Sequence, residues 1–417
     1  MEKNKKNVPK IRFKGFTEKW VKESLGDSAT IVGGGTPSTN IKEYWNGDID
    51  WYSPAEIGDK IFVGASLRKI TELGLKNSSA QILPVGTVLF SSRAGIGNTA
   101  ILIKDGATNQ GFQSIVPDKN KLDTYFIFSR TNELKRYGEI NGAGSTFIEI
   151  SGKQMACMPI FNPKLAEQAQ IGNYFQNIDK LIEAKQSRID KLKNIKKACL
   201  EKMFPKKGAT TPEIRFKGFS GQWEKKRFGD CVLIQRGGSP RPIEEYITND
   251  ENGINWIKIG DVAVGSRYIT STKEKIKPEG EYKSRRVIKG DLILSNSMSF
   301  GRPYIVMIDG CIHDGWLLIR DQYDMFDLEF LLQMLSSEYM LLQYKSLASG
   351  GVVNNLNSEL VQSTIIQIPI KKEQQQIGTF FKNFDNLINQ NEQQLTKLKN
   401  IKKACLEKMF VNKEDVL

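Results

Sequence analysis

Lys191-Leu192-Lys193-Asn194-Ile195-Lys196-Lys197-Ala198-Cys199-Leu200-Glu201-Lys202-Met203-Phe204 returns without a change at Lys397 to Phe410. Fourteen consecutive identities some 206 positions apart make this chain of 417 residues a tandem duplication, and the match extends outward from that stretch. Just upstream, Gln168 to Ile182 and Gln374 to Ile388 share the pattern QxQIGxxFxNxDxLI. Far upstream, Ile11-Arg12-Phe13-Lys14-Gly15-Phe16 recurs as Ile214-Arg215-Phe216-Lys217-Gly218-Phe219, followed by Trp20 and Trp223. The chain therefore reads as two units, roughly 9–204 and 212–410, each a variable part followed by a repeated part.

The repeated part reads as a long helix. Its apolar residues, Ile171, Tyr174, Phe175, Ile178, Leu181, Ile182, Ile189, Leu192, Ile195 and Cys199, alternate in steps of three and four. That is the seam of a coiled coil. The second copy gives Ile377, Phe380, Phe381, Phe384, Leu387, Ile388, Leu395, Leu398, Ile401 and Cys405, and no proline interrupts either run. About 40 residues make a rod of about 60 Å, too long for one small domain. The linker Pro205 to Pro212 spans at most about 28 Å, so the second helix meets the first only by running back along it. The expected fold is α+β. Two mixed α/β domains (1–164 and 208–370) are separated by two helices (165–207 and 371–417) forming an antiparallel coiled coil with pseudo-two-fold symmetry. Leu122 to Tyr137 and Leu328 to Tyr344 read as one helix each, and Val85–Phe90 and Lys289–Leu294 as turn-then-strand signals.

Lys and Arg number 60 against 47 Asp and Glu, a net charge of +13, which favours a polyanionic partner. No apolar run is long enough to cross a membrane, and no signal peptide precedes the first unit, so a cytoplasmic protein is expected. The five cysteines form no C-x-x-C pair, and the single histidine, His313, removes most histidine-based catalysis. There is no P-loop and no N-P-P-Y run. Gly95-Ile96-Gly97-Asn98-Thr99-Ala100 fits a dinucleotide fingerprint by letter only, because a strand-like AILI follows where a helix is required. No catalytic residue is assigned, and the chain is expected to be no enzyme and to hold no cofactor.

What remains is a set of small, polar and basic loops at corresponding places. In the first unit the candidate DNA contacts are Gly34, Thr36, Ser38, Ser91, Ser92, Arg93, Asn98, Asn109, Gln110, Ser145 and Thr146. In the second they are Arg236, Ser239, Arg241, Lys258, Ser295, Asn296, Ser297, Arg302, His313, Asn354, Asn355 and Asn357. Glycine lets a backbone approach phosphates, and Ser, Asn, Gln and Arg read base edges. Each loop alone also suits plain solvation; recurrence in two diverged units is the stronger signal. Pro84–Gly97 and Ile288–Gly301 keep only three identities in 14, so the variable parts share a framework and differ at most other places.

Variable domain, long helix, variable domain, long helix resembles the specificity subunit of Type I restriction–modification enzymes. The motifs that carry the resemblance are QxQIGxxFxNxDxLI, the Glu167-Gln168 and Glu373-Gln374 helix starts with Pro159-Ile160 and Pro369-Ile370 before them, Gly34-Gly35-Thr36-Pro37-Ser38, and Asn109-Gln110-Gly111-Phe112. In the second unit the last of these stands as His313-Asp314-Gly315-Trp316. The resemblance implies two target-recognition domains, each binding half of a split, asymmetric site in double-stranded DNA. It implies helices that dock two methyltransferase subunits and the restriction–translocase subunits, with Ile171, Phe175, Ile178 and Ile182 as partner-binding positions. S-adenosylmethionine, ATP and Mg²⁺ would belong to those partners. A coiled-coil scaffold carrying protein- or glycan-binding domains is the alternative that the same architecture allows.

Overall fold

A computed structural model of the chain describes residues 7–93, 95–143, 148–263, 265–296, 301–348 and 356–411. It divides into two compact units: residues 1–184 with 395–417, and residues 185–394. The two long helices, Leu165–Met203 and Lys371–Lys408, each contribute one half to either unit.

The first unit is built on a five-stranded sheet. Its strand order is Ala29–Gly33, Gln113–Pro117, Val88–Phe90, Thr99–Leu102 and Phe62–Val63, antiparallel except for the last pair. A smaller sheet, Arg68–Ile70, Trp45–Tyr52 and Ala107–Thr108, lies beside it in the fold. The second unit repeats the plan with Leu233–Arg236, Trp316–Arg320, Leu292–Ser295, Pro303–Val306 and Tyr268–Ile269. Its companion sheet has five strands. Both turn-then-strand readings hold with the turn taking more of the sequence: Gly86 and Gly290 sit at φ +90° and +97°, where a side chain would be strained.

Each single-helix reading resolves into two helices. Thr124–Ser129 stops at Arg130, and Thr131–Asn141 follows. The Arg130 side chain turns inward to pair with Glu133 at 2.7 Å and to donate to the Phe161 carbonyl at 3.2 Å. In the second unit Leu328–Leu335 and Glu338–Ala348 are divided at Ser336 and Ser337.

The repeated motifs join each helix to its domain. Buried Glu167 takes a two-point ion pair from Arg12 of the IRFKGF motif, at 2.6 and 2.7 Å. Arg215 grips Glu373 in the same way, at 2.7 Å twice. The neighbouring Gln168 donates to the carbonyls of Pro163 and Lys121 and accepts the Asp123 N–H. Gln374 does the same with Pro369, Met325 and Asp327. Asp123 and Asp327 then cap the helices that follow them, accepting from the Phe126 and Phe330 N–H at 2.8 and 2.9 Å.

The glycine of the QIG triplet lets the long helix lie against those caps. A Cβ at Gly172 would stand 2.4 Å from the Asp123 Oδ1, and one at Gly378 would stand 2.3 Å from the Asp327 Oδ1. Gly172→Ala should therefore destabilise the first unit by about 1–3 kcal/mol through overpacking, although alanine favours a helix over glycine by about 1 kcal/mol. Peptide-resolved hydrogen exchange on the alanine variant checks this; a gain in protection would mean the close approach is absent.

Within each unit the helix halves run antiparallel. In the first, Tyr174 meets Cys405 at 3.3 Å and Asp179 pairs with Lys402 at 2.5 Å. In the second, Lys185 donates to Gln394 at 2.6 Å and Lys196 pairs with Asp385 at 2.5 Å. Ile171, Phe175, Ile178 and Ile189 are buried as the seam requires, and Ile182 is half-buried, so the first three of the expected partner-binding positions are taken up by the chain's own packing and are not open to a partner. Leu181 and Ile195 are not part of it: they are 53% and 50% exposed, as Leu387 and Ile401 are at 42% and 39%. Beside Ile195 the buried residue is Lys196, whose ammonium reaches Asp385. Counting apolar letters assigned the seam to the wrong neighbour, because a paired lysine can occupy an interior position.

The helix ends complete the cores. Phe204 packs on Trp223, Phe330 and Phe381 with ring centroids 5.6 to 6.2 Å apart. Phe410 packs on Trp20, Phe126 and Phe175 at 5.5 to 6.2 Å. The Ile214 N–H donates to the Lys202 carbonyl, and the Ile11 N–H donates to the Lys408 carbonyl, both at 2.9 Å.

Candidate nucleic-acid interface

The candidate loops of each unit come together into a rim with the same hydrogen-bond plan. One turn is closed by Ser91, whose hydroxyl donates to the Gly95 carbonyl at 2.7 Å and accepts the Asn98 N–H at 2.9 Å. In the second unit Ser295 takes that place, and its hydroxyl accepts the Arg302 N–H at 3.1 Å. A second loop is threaded under the first: the Ser92 N–H donates to Gly111 O at 2.8 Å, and the Asn296 N–H donates to Gly315 O at 3.1 Å. A third joins by Ile150 N–H to Ser92 O and Leu356 N–H to Asn296 O, both at 3.1 Å. The glycine loop crosses at the top, where a Cβ on Gly34 would come within 1.9 Å of the Asn109 carbonyl and one on Gly237 within 2.0 Å of the His313 carbonyl.

This plan divides the candidates. Ser91, Ser92 and Ser295 are wholly buried, and Asn296 is 4% exposed with its amide donating to the Asp314 carbonyl at 2.8 Å. Asn109 folds its side chain back onto the Gly111 N–H at 2.8 Å. Asn357 caps the helix Ser358–Ser363 by accepting the Leu360 N–H at 2.8 Å. Gly34 is needed for backbone packing. These residues build the rim. Exposed on it are Ser38, Asn98, Gln110, Arg236, Arg241 and Arg302, with Thr36, Ser239 and Lys258 half-buried and Arg93 37% exposed, 3.8 Å from Glu149. Lys258 pairs with Glu274. Ser145, Thr146, Ser297, Asn354 and Asn355 lie outside the described residues.

In the second unit the rim opens onto a cleft of about 500 Å³ lined by Arg236, Lys258, Lys273, Asp261, Asn296, His313 and Asp314. Sequence reasoning passed over Lys273 and Asp314, and the exchange of Gln110 for Asp314 was the signal that could have drawn attention to the second. Burial pulls the His313 imidazole below its ordinary pKa, against the opposing pull of Asp314. The Gly315 N–H donates to Nδ1 at 2.7 Å, so protonation there would remove the lone pair it uses. His313 is thus a neutral framework residue whose ring holds the loop. Burial works to raise the Asp314 carboxyl, but the Ser239 hydroxyl and the positive charge of Arg236 oppose it, and the group is held below its ordinary value, as a carboxylate.

Among the described residues no three His, Cys, Asp or Glu side chains gather as a metal site, and no helix is long and apolar enough to cross a membrane.

The family described as Type I restriction modification DNA specificity domain matches residues 17–194 and again 220–400. Among curated proteins, the chain is 32% identical over 248 residues to the Type I restriction enzyme MjaIX specificity subunit of Methanocaldococcus jannaschii, covering 55% of each chain. It is 31% identical over 179 residues to the EcoR124I/EcoR124II specificity subunit of Escherichia coli, covering 41% of this chain and 43% of that one. The chain thus spans about half the length of these two relatives. The MjaVIII specificity subunit of M. jannaschii aligns with 99% of this chain and 96% of its own, at 23% identity. Among solved structures, the S subunit of a Type I restriction–modification system from M. genitalium has the same fold, with a TM-score of 0.65 at 14% identity over 97% of this chain and 99% of that one.

Proposed function

The chain belongs to the family of Type I restriction modification DNA specificity domains, and from that premise we propose that it is a non-catalytic specificity subunit in which each unit reads one half of a split, asymmetric site in double-stranded DNA. The observation that carries this reading is the rim. Two units hold the same backbone framework with different side chains on it: Asn98 against Arg302, Gln110 against Asp314, Thr36 against Ser239. A constant scaffold with exchanged exposed groups is what reading two different half-sites requires.

In this reading the long helices dock the partner subunits. In the first unit the Asp179–Lys402 pair puts exposed Leu181 and Ile401 at one level of the helix pair. In the second the Lys196–Asp385 pair does the same for Ile195 and Leu387. Two equivalent apolar spots on otherwise charged helices suit two copies of one partner, which we assign to methyltransferase subunits, with restriction–translocase subunits joining the complex. S-adenosylmethionine, ATP and Mg²⁺ belong to those partners, and the assembly works in the cytoplasm.

The test is selection from a randomised duplex library by the full chain. The expected product is a motif in two parts separated by an unspecified gap. Asn98→Ala should relax one part and Arg302→Ala the other, each lowering affinity for the original site by about 5- to 150-fold. Enrichment of no sequence by the unmodified chain would refute the reading.

A further inference from the structure

Where Thr36 faces Gln110 in the first unit and Ser239 faces Asp314 in the second, the hydroxyl donates in both, but the group left over on the longer side chain differs. In the first unit the Thr36 hydroxyl donates to the Gln110 Oε1. That fixes the amide, and its NH₂ group has no partner among the described residues on an exposed side chain. In the second unit the Ser239 hydroxyl donates to the Asp314 Oδ1 at 3.0 Å. The remaining oxygen, Oδ2, stands 3.5 Å from Arg241, whose side chain is 81% exposed. The first unit therefore presents a donor and the second an acceptor at corresponding places.

The acceptor is the informative one. A carboxylate cannot bond to a phosphate or to the ester oxygens of the backbone, which accept only. Deoxyribose carries no hydroxyl inside a duplex, so the donors that double-stranded DNA offers are base amino groups: cytosine N4 and adenine N6 in the major groove, guanine N2 in the minor. Arg236, Lys258 and Lys273 line the same cleft and are the cations there that suit phosphates. An aspartate among them, left unbonded, would oppose binding to any DNA.

We propose that Asp314 is a specificity-determining residue that accepts a hydrogen bond from a base amino group and so fixes one base pair in the half-site read by the second unit. Ser239 positions it by occupying the other oxygen, and Arg241 leaves Oδ2 for a phosphate when DNA arrives. This rests on the DNA-reading function proposed above and names one of its contacts.

Asp314→Asn keeps size and shape and replaces the acceptor oxygen with a donor at one atom. Full-length chain, unmodified and D314N, is put through selection from a randomised duplex library, and the selected duplexes are then measured singly. The expected result is that the unmodified chain fixes one position as a base pair whose amino group faces the second unit. D314N should relax or change that position alone, with a loss of about 5- to 150-fold on the original duplex and no change in the other half-site. Arg241→Ala, by contrast, should weaken all duplexes alike. Should D314N select the same motif, or lower affinity equally for every sequence, Asp314 only orients Arg241 and the inference is overturned. Should the unmodified chain select nothing, the DNA-reading function itself falls, and this contact with it.

Discussion

Phe410→Ala should unfold or severely weaken the first unit, with a cost of about 3–5 kcal/mol, although the substitution stands at the opposite end of the sequence from most of that unit. The ring is 4% exposed and lies among Trp20, Phe126 and Phe175. Its removal leaves a cavity lined by three aromatic side chains that are fixed by their own packing and have little freedom to collapse inward. Phe204→Ala, the same change in the same 14-residue sequence, should do this to the second unit instead. Hydrogen exchange resolved by peptide separates the two. F410A should lose protection in peptides from residues 20–130 with those from 220–340 unaffected, and F204A should show the reverse. If both variants loosened both units equally, the helix ends would not be private parts of each core.

Arg12→Ala should cost the first unit about 3–5 kcal/mol, and Arg215→Ala the same in the second. In each, a carboxylate that is 1% or 0% exposed, Glu167 or Glu373, is left without the guanidinium that satisfies both its oxygens. Much of that loss is the stranded charge and not the worth of the pair. Arg12→Met combined with Glu167→Met should therefore recover most of the stability that Arg12→Ala forfeits. Arg12→Lys should not restore it fully, since an ammonium cannot make the two parallel bonds at 2.6 and 2.7 Å. Urea unfolding of the three variants checks the order. A double variant weaker than Arg12→Ala would mean that the pair is irreplaceable for a reason other than burial of charge.

The sequence made the architecture readable because the two copies of the helix are nearly identical while the domains are not. Identity at Lys191–Phe204 and Lys397–Phe410 reports a constraint, and the structure shows which: Lys196 and Lys402 meet aspartates, and Phe204 and Phe410 fill cores. What the letters did not reveal was which side of the helix each faced. Ile195 was counted inside, yet it is exposed and Lys196 beside it is buried with its ammonium on Asp385; burial still pulls that lysine below its ordinary pKa, and the ion pair offsets only part of the cost. The rim was located, but its members were not sorted. Ser91 closing a turn and Asn98 standing on it are both short polar residues in a loop, and the hydrogen bond that separates them exists only once the chain has folded. Asp314 was overlooked for a related reason: a carboxylate in a basic protein reads as a solvated surface charge until Ser239 and Arg241 are seen around it.

The seating of Met409, Phe410 and Val411 in the core of the first unit also sets an order of events on the ribosome. Synthesis runs at about 5–20 residues per second, so the 206 residues between Phe204 and Phe410 take about 10–40 seconds to add. Throughout that interval the first unit has its strands, its sheet and half of its helix, yet the faces of Trp20, Phe126 and Phe175 stand open to water. The second unit has its own closing residue, Phe204, before its first strand is translated. The domain that emerges first is thus the one that must wait, and its exposure to chaperones, proteases and other nascent copies lasts until Phe410 has been added.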